Sequence, residues 1–337
     1  MNKRKNFVTI IIPCRNEEKF IGKCLGSIIN NNYPKDNLEV LVVDGRSEDR
    51  TRNIIEEYVR NNPFMKLLDN PRKIVPSALN IGIKKAKGEV IVRMDAHATY
   101  ERNYISKCVE YLKKYNVDNV GGTMITAPRR DTLIGRSIVH ALTSHFGVGN
   151  SDFRTGISEP KFTDTVFGGC YHKELFSKIG YFDENLERSQ DVEFNLRLKR
   201  AGGKTLLTPD IVAHYYVLSN FKTFFKYNFK NGFWATYPLR FVDHIPFSLR
   251  HMIPLAFILS LFGSAILAVF YLPFRWLFLV ILILYFSTNI YFSAKIALKE
   301  KNLYYLCIMP VIFTILHINY GLGSLCGLIK ALVYRQF

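Results

Sequence analysis

The sequence predicts an α/β protein, with a Rossmann-like domain built on a mostly parallel sheet and followed by C-terminal transmembrane helices. Apolar, β-branched runs alternate with segments of helical periodicity through the first hundred residues, as in parallel sheets with crossover helices. A polar motif follows one of these runs, at the edge where open α/β sheets bind ligands. Beyond residue 250 the chain is almost continuously apolar over lengths that suit a bilayer.

The alternation can be followed element by element. Strands are predicted at 7–13, 38–43, 65–68 and 90–94, and helices at 17–30, 49–61 and 75–87. The helical segments place apolar residues three and four positions apart, on one face. Ser47 or Asp49 is placed to cap the second helix, and Gly88 is placed to end the third.

The rest of the soluble part has weaker patterning. Residues 127–166 are rich in Gly, Ser, Thr, Asp and Arg, and we expect a long, partly mobile loop there. Helices are predicted at 173–178 and 189–201, and the second of them is amphipathic. Residues 217–241 mix many aromatic residues with Lys and Arg, which is typical of a helix lying in the headgroup region beside anionic lipid.

These patterns divide the chain into three parts. We predict an α/β domain over residues 1–215, basic aromatic interfacial helices over 216–250, and a transmembrane region over 251–337. The transmembrane region contains apolar runs at about 252–272, 274–294 and 303–333. The third run includes Pro310 and several glycines. It is therefore either one long broken helix or a spanning helix followed by an interfacial or re-entrant one.

The net charge of +17 is unevenly distributed. Residues 251–337 hold six Lys or Arg and one acid, which leaves +12 for the first 250 residues. Positive charge favours the cytoplasmic side, so we expect a multi-pass protein of the cytoplasmic membrane whose α/β domain faces the cytoplasm. The six cysteines form no CxxC pair, which favours free thiols. The basic residues adjoin apolar runs and form no nucleic-acid recognition motif, so no nucleic acid is expected as a partner.

The polar motif after the fourth strand is the most informative local feature. It reads VIVRMDAHATY over residues 90–100. Asp95 and His97 are two residues apart, and side chains at that spacing on extended backbone point the same way. A carboxylate and an imidazole can together hold one divalent cation, Mn²⁺ or Mg²⁺, and that cation can hold a diphosphate. The alternative is a structural histidine near a strand end.

Four motifs together resemble those of family 2 glycosyltransferases with the GT-A fold. They are IIIPCRNEE, VVDGRSEDRT, SALNIGIKKAKGE and DAH, in that order along the chain. The HATY and NPRKIVPSALN segments resemble most closely the branch of succinoglycan-type glucosyltransferases of bacterial exopolysaccharide assembly. The resemblance covers roughly residues 7–240. It departs from the family at His97, where many relatives have a second aspartate.

The resemblance implies a nucleotide-sugar donor, UDP-linked, and a set of residues that bind it. The implied donor-binding residues are Pro13, Arg15, Glu17, Asp44, Asn80 and Asp95, and the implied metal ligands are Asp95 and His97. Local roles remain as alternatives for several of them. Glu17 also suits a helix start, where an acid favours the dipole, and Asp44 also suits an Asx-type turn. Arg72 and Lys73 either reach the diphosphate or stay solvated.

The resemblance also implies a general base. In relatives an aspartate of an ED-type motif at a helix start takes the proton from the acceptor hydroxyl, and here the motif reads Gln190-Asp191. Asp191 acting as the single base implies one displacement with inversion at the anomeric carbon. The alternative is an acid that serves only the helix start. No QxxRW motif accompanies Lys226 and Lys230, which favours transfer of one sugar over polymerisation.

Taken together, the sequence predicts a membrane-anchored, inverting glycosyltransferase of polysaccharide biosynthesis. It is expected to move one sugar from a UDP-sugar to a polyprenyl-diphosphate-linked saccharide at the lipid bilayer, with a divalent cation. Two other functions remain open. One is a polyprenyl-phosphate sugar synthase, which shares the donor motifs. The other is a non-catalytic scaffold that binds nucleotide sugars.

Overall fold

The computed structural model describes residues 6–241 and 249–334. Parts of two predicted segments lie outside the described residues: 242–248 of the segment 216–250, and 335–337 of the segment 251–337. The chain divides into two compact units. One comprises Met1–Ile125 with Asp152–Tyr216, and the other comprises Thr126–Ser151 with Val217–Phe337.

The strands of the described residues form a single mixed sheet. They are β1 Val8–Cys14, β2 Leu38–Asp44, β3 Met65–Asp69, β4 Val90–Arg93, β5 Ala98–Tyr100, β6 Asn119–Pro128, β7 Lys161–Phe162, β8 Phe167–His172 and β9 Thr205–Val217. Their order is β3-β2-β1-β4-β8-β6-β9-β5, with β7 paired to β9. The β3-β2-β1-β4 part is parallel, and β8 runs antiparallel to both β4 and β6. The predicted α/β class is confirmed, although only the first four strands form the expected parallel sheet.

The helices follow the strands in the expected places through the first hundred residues. They are α1 Ile21–Ile29, α2 Thr51–Asn61, α3 Val75–Lys85, α4 Tyr104–Lys114, α5 Leu133–Leu142, α6 His145–Val148, α7 Asp152–Thr155, α8 Leu175–Ile179, α9 Gln190–Arg200, α10 Phe221–Thr236, α11 Ile253–Leu267, α12 Leu272–Lys299 and α13 Tyr304–Val333. Short 3-10 turns occupy 35–37, 237–240 and 249–252.

The core of the first unit consists of two apolar layers, one on each face of the sheet. Successive residues of β1 alternate between them, so that Ile10 and Ile12 pack in one layer and Ile11 in the other. The register then fixes the strand ends, because Cys14 of β1 lies opposite Asp44 of β2. This places the residues that follow both strands at one edge of the sheet.

The prediction of a long loop over residues 127–166 is wrong. Helices α5, α6 and α7 occupy much of it. The inner face of α5 is apolar and buried, through Ile138, Ala141 and Leu142, and α5 and α6 both contact α13. The polar composition of this segment gave no sign of the helices, whose apolar faces pack against α13, about 170 residues away in sequence.

The first two apolar runs of the second unit form helices that differ in length from their predictions, whereas the third, α13, agrees with the predicted run 303–333. Helix α11 has 15 residues and ends at Leu267, so its rise of about 22 Å is less than the bilayer core. Helices α12 and α13 have 28 and 30 residues and, by length and composition, are the two described helices that can cross a membrane. Helix α13 continues through Pro310 as one long helix.

Helix α10 packs closely against α13 through glycines. A Cβ atom added to Gly232 would lie 1.9 Å from the carbonyl oxygen of Tyr320, and one added to Gly323 would lie 2.1 Å from that of Phe229. The hydroxyl of Thr236 donates to the carbonyl oxygen of Ser324 at 2.6 Å. The glycines of the third apolar run thus bring the two backbones together.

Alanine at Gly232 or Gly323 is expected to lower the free energy of unfolding by about 1–3 kcal/mol, because the added methyl group meets backbone that has no room to move. Gly263 on α11 is the matched control, since a Cβ atom there meets nothing within 4 Å. Thermal unfolding in detergent micelles compares the three variants. Equal stability of Gly232→Ala and Gly263→Ala would contradict the close contact between α10 and α13.

Candidate active site

Most of the residues singled out from the sequence lie at the carboxyl ends of β1, β2 and β4 and at the start of α9, whereas Asn80 lies on α3. The backbone here adopts unusual conformations. The described residues include six non-glycine residues with left-handed φ, and four of them lie around this site: Asn16 (55°), Arg46 (54°), Lys73 (61°) and Ser189 (62°). Each such conformation costs about 1–2 kcal/mol, and strain of this kind concentrates at functional sites.

Arg93, the last residue of β4, joins Asp95 to Asp191. Its Nη2 lies 3.4 Å from Oδ1 of Asp95, and its Nη1 lies 3.5 Å from Oδ2 of Asp191. The Arg93 side chain is 12% exposed, whereas that of Asp191 is 35% exposed at the start of α9. Arg93 is not among the site residues predicted from the sequence. The available signal was a charged residue within an apolar strand, two positions before Asp95.

The electrostatics keep Arg93 charged. Burial acts to lower its pKa, but the carboxylates of Asp95 and Asp191 outweigh burial and raise the pKa above its ordinary value. Tyr100 holds the Asp95 backbone, because its hydroxyl accepts from the Asp95 N–H at 2.6 Å and donates to the Asp95 carbonyl at 3.2 Å. Burial raises the pKa of Tyr100 well above its usual range, so the hydroxyl stays protonated as a donor.

His97 contacts Glu17 and Tyr215. Its Nδ1 lies 3.0 Å from Oε1 of Glu17, and its Nε2 lies 2.7 Å from the Tyr215 hydroxyl. In the neutral tautomer that donates Nδ1–H to Glu17, Nε2 is the accepting nitrogen. Metal-binding histidines usually have this arrangement, with a carboxylate behind the ring. Glu17, predicted to bind the donor, is thus also placed to orient His97.

The donor chemistry of Asp95 and His97 suits a divalent cation as a partial ligand set, with the cation taking the place of the Tyr215 hydroxyl at Nε2 of His97. A carboxylate oxygen and an imidazole nitrogen suit Mn²⁺ or Mg²⁺. Over the described residues no group of three or more His, Cys, Asp or Glu is arranged for a metal. The remaining ligands must then come from a bound diphosphate and water, as is usual where a cation is held with substrate phosphates.

Asp44 is fully buried, and its carboxylate already has protein partners. It accepts from the Ser47 N–H at 3.2 Å and from the Ser47 hydroxyl at 2.5 Å. Arg52 lies 3.4 Å away as an ion-pair partner. These contacts correspond to the Asx-type turn given as the alternative for this residue. Asp49 accepts from the Thr51 N–H at the start of α2.

Asn80 is buried, and both ends of its amide bind the segment before α9. Its Nδ2 donates to the Phe182 carbonyl at 2.8 Å and to Glu184 at 2.9 Å, while its Oδ1 accepts from the Phe182 N–H at 3.0 Å. Arg72 pairs with the same glutamate at 2.6 Å. Burial acts to raise the pKa of Glu184, but the hydrogen bonds from Asn80 and Arg72 lower it. Asn80 therefore positions the chain that leads to Asp191.

Arg15 and Lys73 lie near each other through a shared acid. Arg15 is 3.5 Å and Lys73 is 3.9 Å from Oε1 of Glu48, and both cationic side chains are 41% exposed. Pro13, next to last in β1, is half-buried opposite Val43. Exposed cations at this edge of the sheet are available to an anionic ligand.

A comparison with known protein families decides the classification. The profile of "Glycosyl transferase family 2" matches residues 9–180, which is more than half of the chain. The chain belongs to this family. It is a family 2 glycosyltransferase, and the predicted resemblance is confirmed.

Two relatives match this glycosyltransferase over most of their length. A dolichyl N-acetyl-α-D-glucosaminyl phosphate 3-β-D-2,3-diacetamido-2,3-dideoxy-β-D-glucuronosyltransferase of Methanococcus voltae is 29% identical over 96% of this chain and 98% of the relative. The succinoglycan biosynthesis protein ExoA of Rhizobium meliloti is 27% identical over 88% and 87%, respectively. The second match lies in the exopolysaccharide branch that the sequence motifs indicated.

Solved structures confirm the GT-A fold of the glycosyltransferase. A mannosyltransferase of Pyrobaculum calidifontis, in complex with GDP-mannose and Mn²⁺, aligns with a TM-score of 0.61 at 20% identity, over 96% of this chain and 88% of that one. TarS residues 1–349 of S. aureus align with a TM-score of 0.52 at 17% identity, over 94% and 90%. Similarity at this level of identity shows the fold.

Proposed function

We propose that this glycosyltransferase moves one sugar from a UDP-sugar to a polyprenyl-linked saccharide, with inversion, in the assembly of a polysaccharide or related glycan. One observation supports this more than any other. Arg93 brings the metal-type carboxylate of Asp95 and the base-type carboxylate of Asp191 to one guanidinium, within 3.4 and 3.5 Å. A leaving group and an acceptor hydroxyl can then meet at one place, which a transfer reaction requires.

The donor is proposed to bind at the carboxyl ends of β1 and β4. Asp95 and His97 would hold a divalent cation, which when bound neutralises the diphosphate leaving group. Arg15 and Lys73 are exposed and positively charged, so they can contact the phosphates. Pro13 and Glu17 lie on the β1 side of the same edge, where the nucleoside is proposed to bind. Asp44 and Asn80, which are satisfied by protein partners, would support the pocket from behind.

Asp191 is the proposed general base. Its carboxylate lies in the first turn of α9 and is 35% exposed, so it can reach an acceptor hydroxyl. It would take the hydroxyl proton as the acceptor oxygen attacks the anomeric carbon and the bond to the nucleoside diphosphate breaks. One base acting in one displacement gives inversion of configuration.

A membrane-bound acceptor is supported by the second unit and by one relative. Helices α12 and α13 are long and apolar enough to cross a bilayer. On α10, Lys222, Lys226 and Lys230 are exposed at four-residue spacing, a stripe of charge suited to anionic headgroups. The printed name of the Methanococcus voltae relative specifies a dolichyl-linked sugar. We infer a multi-pass protein of the cytoplasmic membrane whose catalytic unit faces the cytoplasm.

The function is tested by measuring UDP release and product formation in detergent, with a panel of UDP-sugars, Mn²⁺ and polyprenyl-diphosphate-linked saccharides. We expect release with one sugar, dependent on the saccharide acceptor, and a product of inverted anomeric configuration. Transfer to polyprenyl phosphate alone would identify a polyprenyl-phosphate sugar synthase instead. A product with retained configuration would rule out the single-base mechanism.

A further inference from the structure

We propose that Arg93 is a positioning residue of the transfer site, which orients the Asp191 carboxylate and occupies Asp95 before the donor and its cation arrive. The inference rests on the proposed function, since it assigns Asp191 as base and Asp95 as cation ligand. Arg93 lies two residues before Asp95 and outside the four motifs that resemble those of the family. Through Arg93, loading of the donor is linked to the state of the base.

The partners of the Arg93 guanidinium favour a positioning role. Its two terminal nitrogens contact Asp95 and Asp191, and within the described residues its buried Nε has no hydrogen-bond partner. An arginine with only a structural role would be expected to donate hydrogen bonds from all three guanidinium nitrogens. Arg197, which lies on the same helix as Asp191, does so. Arg197 binds Glu193 through two nitrogens and the carbonyls of Ile179 and Tyr181.

Charge balance at the site also favours this role for Arg93. The carboxylates of Asp95 and Asp191 both contact the one guanidinium of Arg93. Two like charges at partly buried positions repel, and a charged guanidinium between them removes much of that cost. Arginine suits the task better than lysine, because its planar fork can contact two carboxylates at once.

Arg93 and the cation would compete for Asp95. A divalent cation and the Arg93 guanidinium both require the same carboxylate. Cation binding at Asp95 would leave Arg93 to interact mainly with Asp191, so the base is held most firmly when the donor is in place. Removing Arg93 should therefore impair transfer without weakening cation-dependent UDP binding.

The test uses the full-length protein in detergent with Arg93→Met, Arg93→Lys and the control Arg197→Met. Steady-state transfer rates are measured beside calorimetric binding of UDP with Mn²⁺, and thermal unfolding monitors stability. For Arg93→Met we expect kcat to fall about 100-fold, the loss typical of a misplaced reacting group, with UDP affinity equal to or above that of the natural protein. Arg93→Lys should lose about tenfold in kcat, because it keeps the charge without the fork.

Arg197→Met removes an arginine that has more hydrogen-bond partners than Arg93, from the helix that carries Asp191, so it should lower the melting temperature with little change in kcat. If Arg93→Met and Arg197→Met behave alike, Arg93 has only a structural role and the proposal fails. Loss of UDP binding in Arg93→Met, in step with kcat, would also overturn it. Should Arg93→Met not fold, Arg93→Lys decides, and a natural kcat in that variant overturns the proposal.

The Asp191→Asn variant separates this inference from the proposed function. Full transfer by Asp191→Asn would refute the base and with it the function on which the inference rests. Loss of transfer in Asp191→Asn together with natural transfer in Arg93→Met would refute only the role of Arg93.

Discussion

Replacing Asp191 with asparagine is expected to lower kcat by about 10²–10⁴-fold, the usual contribution of a general base. Asparagine keeps the shape of the side chain but cannot accept the hydroxyl proton. The donor is proposed to bind through other residues, so UDP affinity and the KM for the donor should stay within a few-fold of the natural values. Steady-state transfer and calorimetric UDP binding, measured on the same preparation, give both quantities.

Glu187→Gln is the matched control for that variant. Glu187 lies four residues before Asp191, is exposed and carries the same charge. Its replacement should leave kcat unchanged. If Asp191→Asn retained the natural kcat, the assignment of the base would be wrong, and the scaffold function would gain support.

Replacing Asp95 with asparagine is expected to remove cation-dependent donor binding. The carboxylate is the charged member of the proposed ligand pair, and the charge stabilisation that a cation supplies to a leaving diphosphate is worth several kcal/mol. We therefore expect kcat/KM to fall by about 10³-fold, with the affinity for UDP no longer responding to Mn²⁺. A Mn²⁺ titration of UDP binding, followed by calorimetry, is the direct measurement.

Asp118→Asn controls for the loss of a carboxylate elsewhere in the same unit, since Asp118 binds the Lys204 N–H in a loop before β6. It should bind UDP and respond to Mn²⁺ as the natural protein does. Turnover that survives EDTA, or a natural Mn²⁺ response in Asp95→Asn, would rule out Asp95 as a cation ligand.

The sequence predicted the first part of the fold well, because its determinants are local. The β1, β2 and β4 runs are apolar and β-branched, and the helices between them have apolar residues at three- and four-residue spacing. The antiparallel strands were harder to predict from the sequence. Strands β5 and β9 pair across more than a hundred residues, and no crossover helix between them indicates the pairing.

The site residues also divide into those with local determinants, which were predicted, and those that depend on distant partners, which were not. Asp95, His97 and Asp191 were singled out by position, since each lies where a strand ends or a helix begins. Arg93 was missed because its role depends on a partner 98 residues away. Asn80 was predicted to contact the donor, and the structure gives its amide protein partners 102 and 104 residues away. Pairings at that separation leave no periodic trace in a single sequence.

The docking of α6 within the second unit bears on how this enzyme can be shortened. Phe146 lies 5.0 Å from the ring of Phe292 on α12 and 4.9 Å from that of Phe313 on α13, and His317 donates to its carbonyl at 2.9 Å. A gene cut just before residue 250 would keep α5 and α6 but delete the apolar helices that cover them. The fragment would then expose an aggregation-prone apolar surface to water. A soluble catalytic fragment needs residues 126–151 redesigned together with the C-terminal deletion.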